Sequence, residues 1–115
     1  MTDRELLEAA ARAAGIKALL DPHGRLRDCT AGSPFMDIFA APLWNPLTDD
    51  GDALRLAVKL NLRLVFHPVL NQALVRPYHS DSMETESREN GEAHADPYAA
   101  TRRAIVRAAA AMATS

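Results

Sequence analysis

The sequence predicts an α+β domain in which three helices flank a small, mainly antiparallel sheet. Three observations carry that prediction. Two runs, Thr2–Gly15 and Thr48–Asn61, have helix punctuation at both ends, and a third, opening at Asp96-Pro97, is long and alanine-rich. Between them lie short β-rich runs bounded by Pro, Gly and Asn. The chain has 115 residues, 48% of them apolar but only 5% aromatic, so residues 1–115 read as one domain with a thin core of Leu, Ile, Val and a few rings.

The first helix is predicted over residues 2–14. Thr2-Asp-Arg-Glu5 is a capping box, in which Thr2 caps the first turn and Glu5 reaches back to the Thr2 amide. Leu6, Leu7, Ala10, Ala11 and Ala14 share one face, Arg4, Glu8 and Arg12 mark the other, and Gly15 supplies the stop. Residues 16–20 and 25–29 then flank Asp21-Pro-His-Gly24, whose residue types fit a type I turn, so a hairpin is expected. Residues 35–40 have strand-like side chains and are read as a further short strand.

The most informative run is Trp44-Asn-Pro-Leu-Thr-Asp-Asp-Gly-Asp52 and the helix that follows, to about Leu60. Pro46 fixes its own φ and keeps Asn45 out of the helical region, so the helix starts later. Thr48, Asp49 and Asp50 are all competent caps, and Asp49, Asp50 and Asp52 lie at the positive end of the helix dipole. Ala53, Leu54, Leu56, Ala57, Val58 and Leu60 form a broad apolar stripe, and Asn61 stands where a left-handed residue would close the helix.

Residues 62–66 and 70–76 read as an antiparallel strand pair, each followed by a proline. Residues 79–95 carry five acids against one arginine and little apolar surface, which predicts a mobile acidic loop. Asp96 as cap and Pro97 at the first helical position open the third helix, expected to reach Met112 with Ala100, Ile105, Ala108, Ala109 and Met112 on its buried side. Arg102, Arg103 and Arg107 are its only charges.

Function is less legible than fold. A net charge of −2 gives no global attraction to nucleic acid or an anionic membrane. No apolar run approaches the ~20 residues of a membrane span, no signal peptide is evident at the N-terminus, and the lone Cys29 fits a reducing compartment; a cytoplasmic protein is expected. His23, His67, His79 and His94 have no metal-ligand spacing, and no phosphate loop, dinucleotide fingerprint or nucleophile elbow occurs. No cofactor, metal or catalytic residue is therefore assigned. Helix capping explains Asp49, Asp50 and Asp52 better than calcium binding, because they do not alternate and no closing Glu follows. Arg102, Arg103 and Arg107 allow a nucleic-acid contact, but a solvated face or pairing with the acidic cluster is the simpler reading. Trp44 is a core lid over the second helix or, if exposed between its prolines, an interface anchor; core is favoured.

The run Trp44–Leu60, together with the opening Met1-Thr-Asp-Arg-Glu-Leu-Leu-Glu8 and the closing Asp96–Ala110, resembles the phage ABA-sandwich domain proteins, over about half the chain and in the same order. The resemblance implies an α-β-α arrangement around a small antiparallel sheet and a source in a phage or prophage. It implies no activity, cofactor or catalytic residue. Asn61 departs from the Gly usual there, and residues 21–43 and 62–95 match no pattern of the family. The leading expectation is a non-enzymatic phage or prophage accessory protein in the bacterial cytoplasm, binding a protein partner or itself. Its expected interaction surface is drawn from Trp44, Asn45, Asp49, Asp50, Asp52, Arg102, Arg103 and Arg107. The alternatives are a nucleic-acid-binding regulator using the three arginines, an inhibitor of host defence presenting acidic residues 81–92 as a nucleic-acid mimic, and a ligand-binding or enzymatic pocket near Trp44.

Overall fold

Thr2 opens the first helix, α1 (Asp3–Ala14), through both halves of the capping box: the Glu5 amide donates to Thr2 Oγ1 at 3.2 Å, and the Thr2 amide donates to Glu5 Oε1 at 3.2 Å. Gly15, at φ +70°, closes it in a Schellman turn, with Gly15 N–H on the Arg12 carbonyl and Ile16 N–H on that of Ala11. These coordinates are a computed structural model, which describes residues 2–31, 37–67, 72–77, 87–90 and 96–114.

The predicted hairpin forms as β1 (Ala18–Leu20) and β2 (Leu26–Asp28), antiparallel, with the Gly24 amide donating to the Asp21 carbonyl at 2.9 Å across the turn. The expectation of a strand at 35–40 fails where it can be compared: Asp37 caps a single 3-10 turn, Ile38–Ala40, by accepting the Phe39 amide, and 35–36 lie outside the described residues. Strand-like pairing comes a few residues later. The Asp28 amide donates to the Pro42 carbonyl, the Trp44 amide to the Leu26 carbonyl, and Leu43 bridges Arg27, so 42–44 line the free edge of β2. An aspartate that can cap its own turn overrides the β preference of the residues after it.

Helix α2 (Asp50–Lys59) starts on Asp49, whose carboxylate accepts the Asp52 amide at 2.8 Å, and Asn61 follows it at φ +55°. The chain then enters β3 (Leu62–His67), which pairs with β4 (Gln72–Pro77), and β4 pairs with β5 (Ser87–Asn90), all antiparallel. Among the described residues the single sheet expected is thus two: β1–β2, and β3–β4–β5 in that order. β5 lies inside the segment read as a mobile acidic loop; residues 79–86 and 91–95 of that segment fall outside the described ones.

Helix α3 (Pro97–Thr114) is the centre of the molecule. It packs most extensively on α1, then on β4, β5 and α2. Ala104, Ile105, Val106, Ala108, Ala109 and Ala110 are all buried, so it has apolar contact nearly all round between α1 and the three-stranded sheet. The facing alanines, with Ala9, Ala10 and Ala14 of α1, allow a close approach, and Leu6, Leu7, Trp44, Leu56 and Val75 supply the larger core side chains. Among the described residues the molecule is α+β, three helices with small antiparallel sheets.

Candidate interaction site

The lead-in to α2 is locked before the helix begins. Asn45 Oδ1 accepts the Leu47 amide, and the Asn45 carbonyl accepts the amides of Thr48 and Asp49. Asp52, nearly buried, accepts the Asn45 amide at 2.9 Å and a bond from Arg55 Nη2 at 2.6 Å. Donating this bond to Asp52, with the charges of Asp52 and Asp49 nearby, raises the Arg55 pKa above its ordinary value against the effect of burial. From α3, Arg102 reaches across: Nε donates to the Leu47 carbonyl at 2.9 Å and Nη1 to Asp50 Oδ1 at 2.6 Å. Arg103 pairs instead with Asp3 at 3.1 Å, tying α3 to the start of α1.

The residues singled out from sequence therefore divide. Asn45, Asp49, Asp50, Asp52 and Arg102 come together as a structural joint between the α2 lead-in and α3. Trp44 is only 5% exposed and belongs to the core, so it offers no surface anchor. Arg107 is exposed on α3, one turn beyond Arg103. The ion pairs of Arg102 and Arg103 are the simple outcome expected for arginines near acidic helix starts.

A cleft of about 630 Å³ opens beside Trp44, between α1, the hairpin turn and the α2 lead-in, lined among others by Arg4, Asn45, Asp49, Asp52 and Arg55. Its acids are engaged, Asp52 with Arg55 and Asp49 with the first-turn amide of Asp52, as capping predicts. Among the described residues, no three His, Cys, Asp or Glu side chains gather closely enough to hold a metal ion, and no helix is long and apolar enough to cross a membrane.

Two features escape sequence reasoning. The first is a buried charge node in the hairpin. Asp21, its side chain fully covered, accepts the amides of His23 and Arg25 on Oδ1 and Arg27 Nε at 2.8 Å on Oδ2. Arg27 Nη1 continues to the Ala41 carbonyl at 2.8 Å, and its guanidinium lies 5.2 Å from the centre of the Phe39 ring. The Arg27 bond holds the Asp21 carboxyl well below the usual carboxylate range, against the opposing effect of burial and with help from the two turn amides. Asp-x-x-x-x-x-Arg across a turn is visible in the sequence, but that both charges are buried is not.

The second is an exposed apolar face. The stripe read along α2 splits: Ala53, Leu56 and Ala57 are buried, whereas Leu54 and Val58, four apart, are 59% and 73% exposed. Leu54 shares a groove of about 560 Å³ with Leu64 of β3, 42% exposed, and with Tyr98, 68% exposed, and Ile105 of α3. The signal was in the stripe's width, since six apolar positions in eight residues exceed what one face can bury.

Compared with family models, curated proteins and solved structures, the chain matches none.

Proposed function

We propose that the chain is a non-enzymatic accessory protein of a phage or prophage, acting in the bacterial cytoplasm by binding a protein partner or a second copy of itself. The exposed apolar face carries this reading. Isolated surface leucines are ordinary, but Leu54, Leu64 and Tyr98 line one groove from adjoining elements, with exposed Val58 one turn along α2 from Leu54, and such clustering supports a contact surface. Burying two such side chains fully would contribute about 3–6 kcal/mol before the costs of association. The phage setting rests on the resemblance carried by Trp44–Leu60 and the two termini.

The test is capture of protein partners from lysogenic host lysate, with and without nuclease, by the wild-type chain and by Leu54→Lys/Tyr98→Ser. A discrete protein that survives nuclease and is lost with the double variant is expected. Partners lost on nuclease treatment but indifferent to the double variant would overturn the reading in favour of nucleic-acid binding.

A further inference from the structure

We propose that two copies of this chain join through β3, edge to edge across a two-fold axis, into one six-stranded antiparallel sheet. The inference rests on the reading of the apolar face as a contact surface and names its occupant. In the order β3–β4–β5, β3 has β4 on one side and, among the described residues, no strand on the other. Its outward amides and carbonyls are obligatory hydrogen-bonding groups, and a strand is what they fit. Among the described residues, two of the usual protections of an edge, a bulge and a proline, are missing from it, and a third, charge, is limited to one residue. Its six residues pair with β4 in unbroken register, without a bulge, no proline stands within Leu62–His67, and Arg63 is its one formal charge at neutral pH.

Symmetry restricts the pairing. A two-fold axis perpendicular to the sheet sets residues of the same face opposite each other, so it must pass through a residue position rather than between two. Centred on Arg63 it would oppose two guanidinium groups. Centred on Leu64 it sets Leu64 against itself, Leu62 against Phe66, and each Arg63 against Val65. The pair at the axis, Leu64 with itself, is then apolar and the two arginines are apart. That Leu62 and Leu64 face the helices follows from the register, which opposes Leu64 to the fully buried Val75.

The same axis explains why the occupant is a second copy rather than a foreign strand. It keeps both helix layers on one face of the joined sheet and brings α2, which packs against β3, towards its equivalent. Leu54 and Val58 would then cover one another across the axis, whereas an added foreign strand would satisfy the edge and leave them exposed.

The experiment uses the full chain in sedimentation velocity and in oxidative cross-linking, with Cys29→Ser as the background for the latter. The wild type is expected at twice the 12.5 kDa chain mass, and Leu64→Lys at the single-chain mass with the folded circular-dichroism spectrum of the wild type. Leu64→Cys should form a disulfide-linked dimer, since directly opposed residues in an antiparallel pair lie about 4.5–5.5 Å apart at Cα, within disulfide reach. Val65→Cys, opposite Arg63, should not. A monomeric wild type at high micromolar concentration, a dimer indifferent to Leu64→Lys, or equal cross-linking at both positions would overturn the proposal. If the wild type is monomeric but still captures a partner through Leu54 and Tyr98, the proposal fails and the wider reading stands.

Discussion

Asp21 shows how one buried carboxylate organises a small domain. It shapes the hairpin turn through two backbone amides and, through Arg27, fixes the 3-10 turn to the hairpin. Because its folded pKa is depressed, the unfolded chain binds the proton more readily. The stabilisation it gives is therefore complete above the ordinary carboxylate pKa near 4 and is lost as pH falls below it. Asp21→Asn keeps an oxygen for the turn amides but sets an amide nitrogen against Arg27 Nε, leaving a buried guanidinium unpaired. The variant should unfold at lower urea than wild type at pH 7, and its stability should fall less steeply between pH 5 and about pH 2. Parallel pH profiles would show that Asp21 is not the group responsible. Trp44 is the complementary case, an uncharged residue buried in the same core cluster as Leu26 of the hairpin and Leu56 of α2. Trp44→Ala should cost about 3–5 kcal/mol in urea unfolding, and a loss below 1 kcal/mol would mean that the indole is not packed as described.

At the scale of elements, legibility followed how local the determining forces are. Caps involve neighbours within a few residues, so Thr2, Glu5, Gly15, Asp49 and Asn61 behave as their types require. Gly15 makes a clean test: a Cβ added there would meet nothing within 4 Å, so Gly15→Ala reports only the strain of the left-handed backbone at φ +70°. It should cost about 1–2 kcal/mol, read as a shift of the urea midpoint without a change of slope. What depends on partners far along the chain was not legible. Leu54 and Leu56 are alike in sequence, and only the packing of elements distant in the chain decides that one is exposed and the other buried. Likewise Ser87–Asn90, polar enough to read as loop, is a strand because β4 offers it an edge. Of the residues expected at the interaction surface, Arg102 pairs with Asp50 of the acidic cap, whereas the apolar groove between α2, β3 and α3 is not legible because it joins residues up to 55 positions apart, from Asp50 to Ile105.

For the whole molecule, the decisive feature is that the two ends of the sequence form its middle. α1 and α3 make the most extensive packing between elements, and Arg103 bonds Asp3 over a separation of 100 residues. Ala104, Ala108 and Ala109 are fully buried, so the helix approach leaves them no spare volume. Ala108→Leu should therefore destabilise by about 1–3 kcal/mol through overpacking, although leucine is nearly as good a helix former as alanine. The same arrangement means that no earlier part of the chain owns a complete core. A fragment ending at His67 would contain α1, the hairpin, α2 and β3 but would expose the faces of α1 and α2 that α3 packs against. It should show weak helical circular dichroism and no cooperative thermal transition. Adding a peptide of residues 96–114 would have to offset the entropy of association and would restore little without the β4 and β5 contacts that α3 also makes. A sharp melt of the fragment alone would instead place an independent core in the N-terminal half, and α3 would then be an added layer rather than the centre.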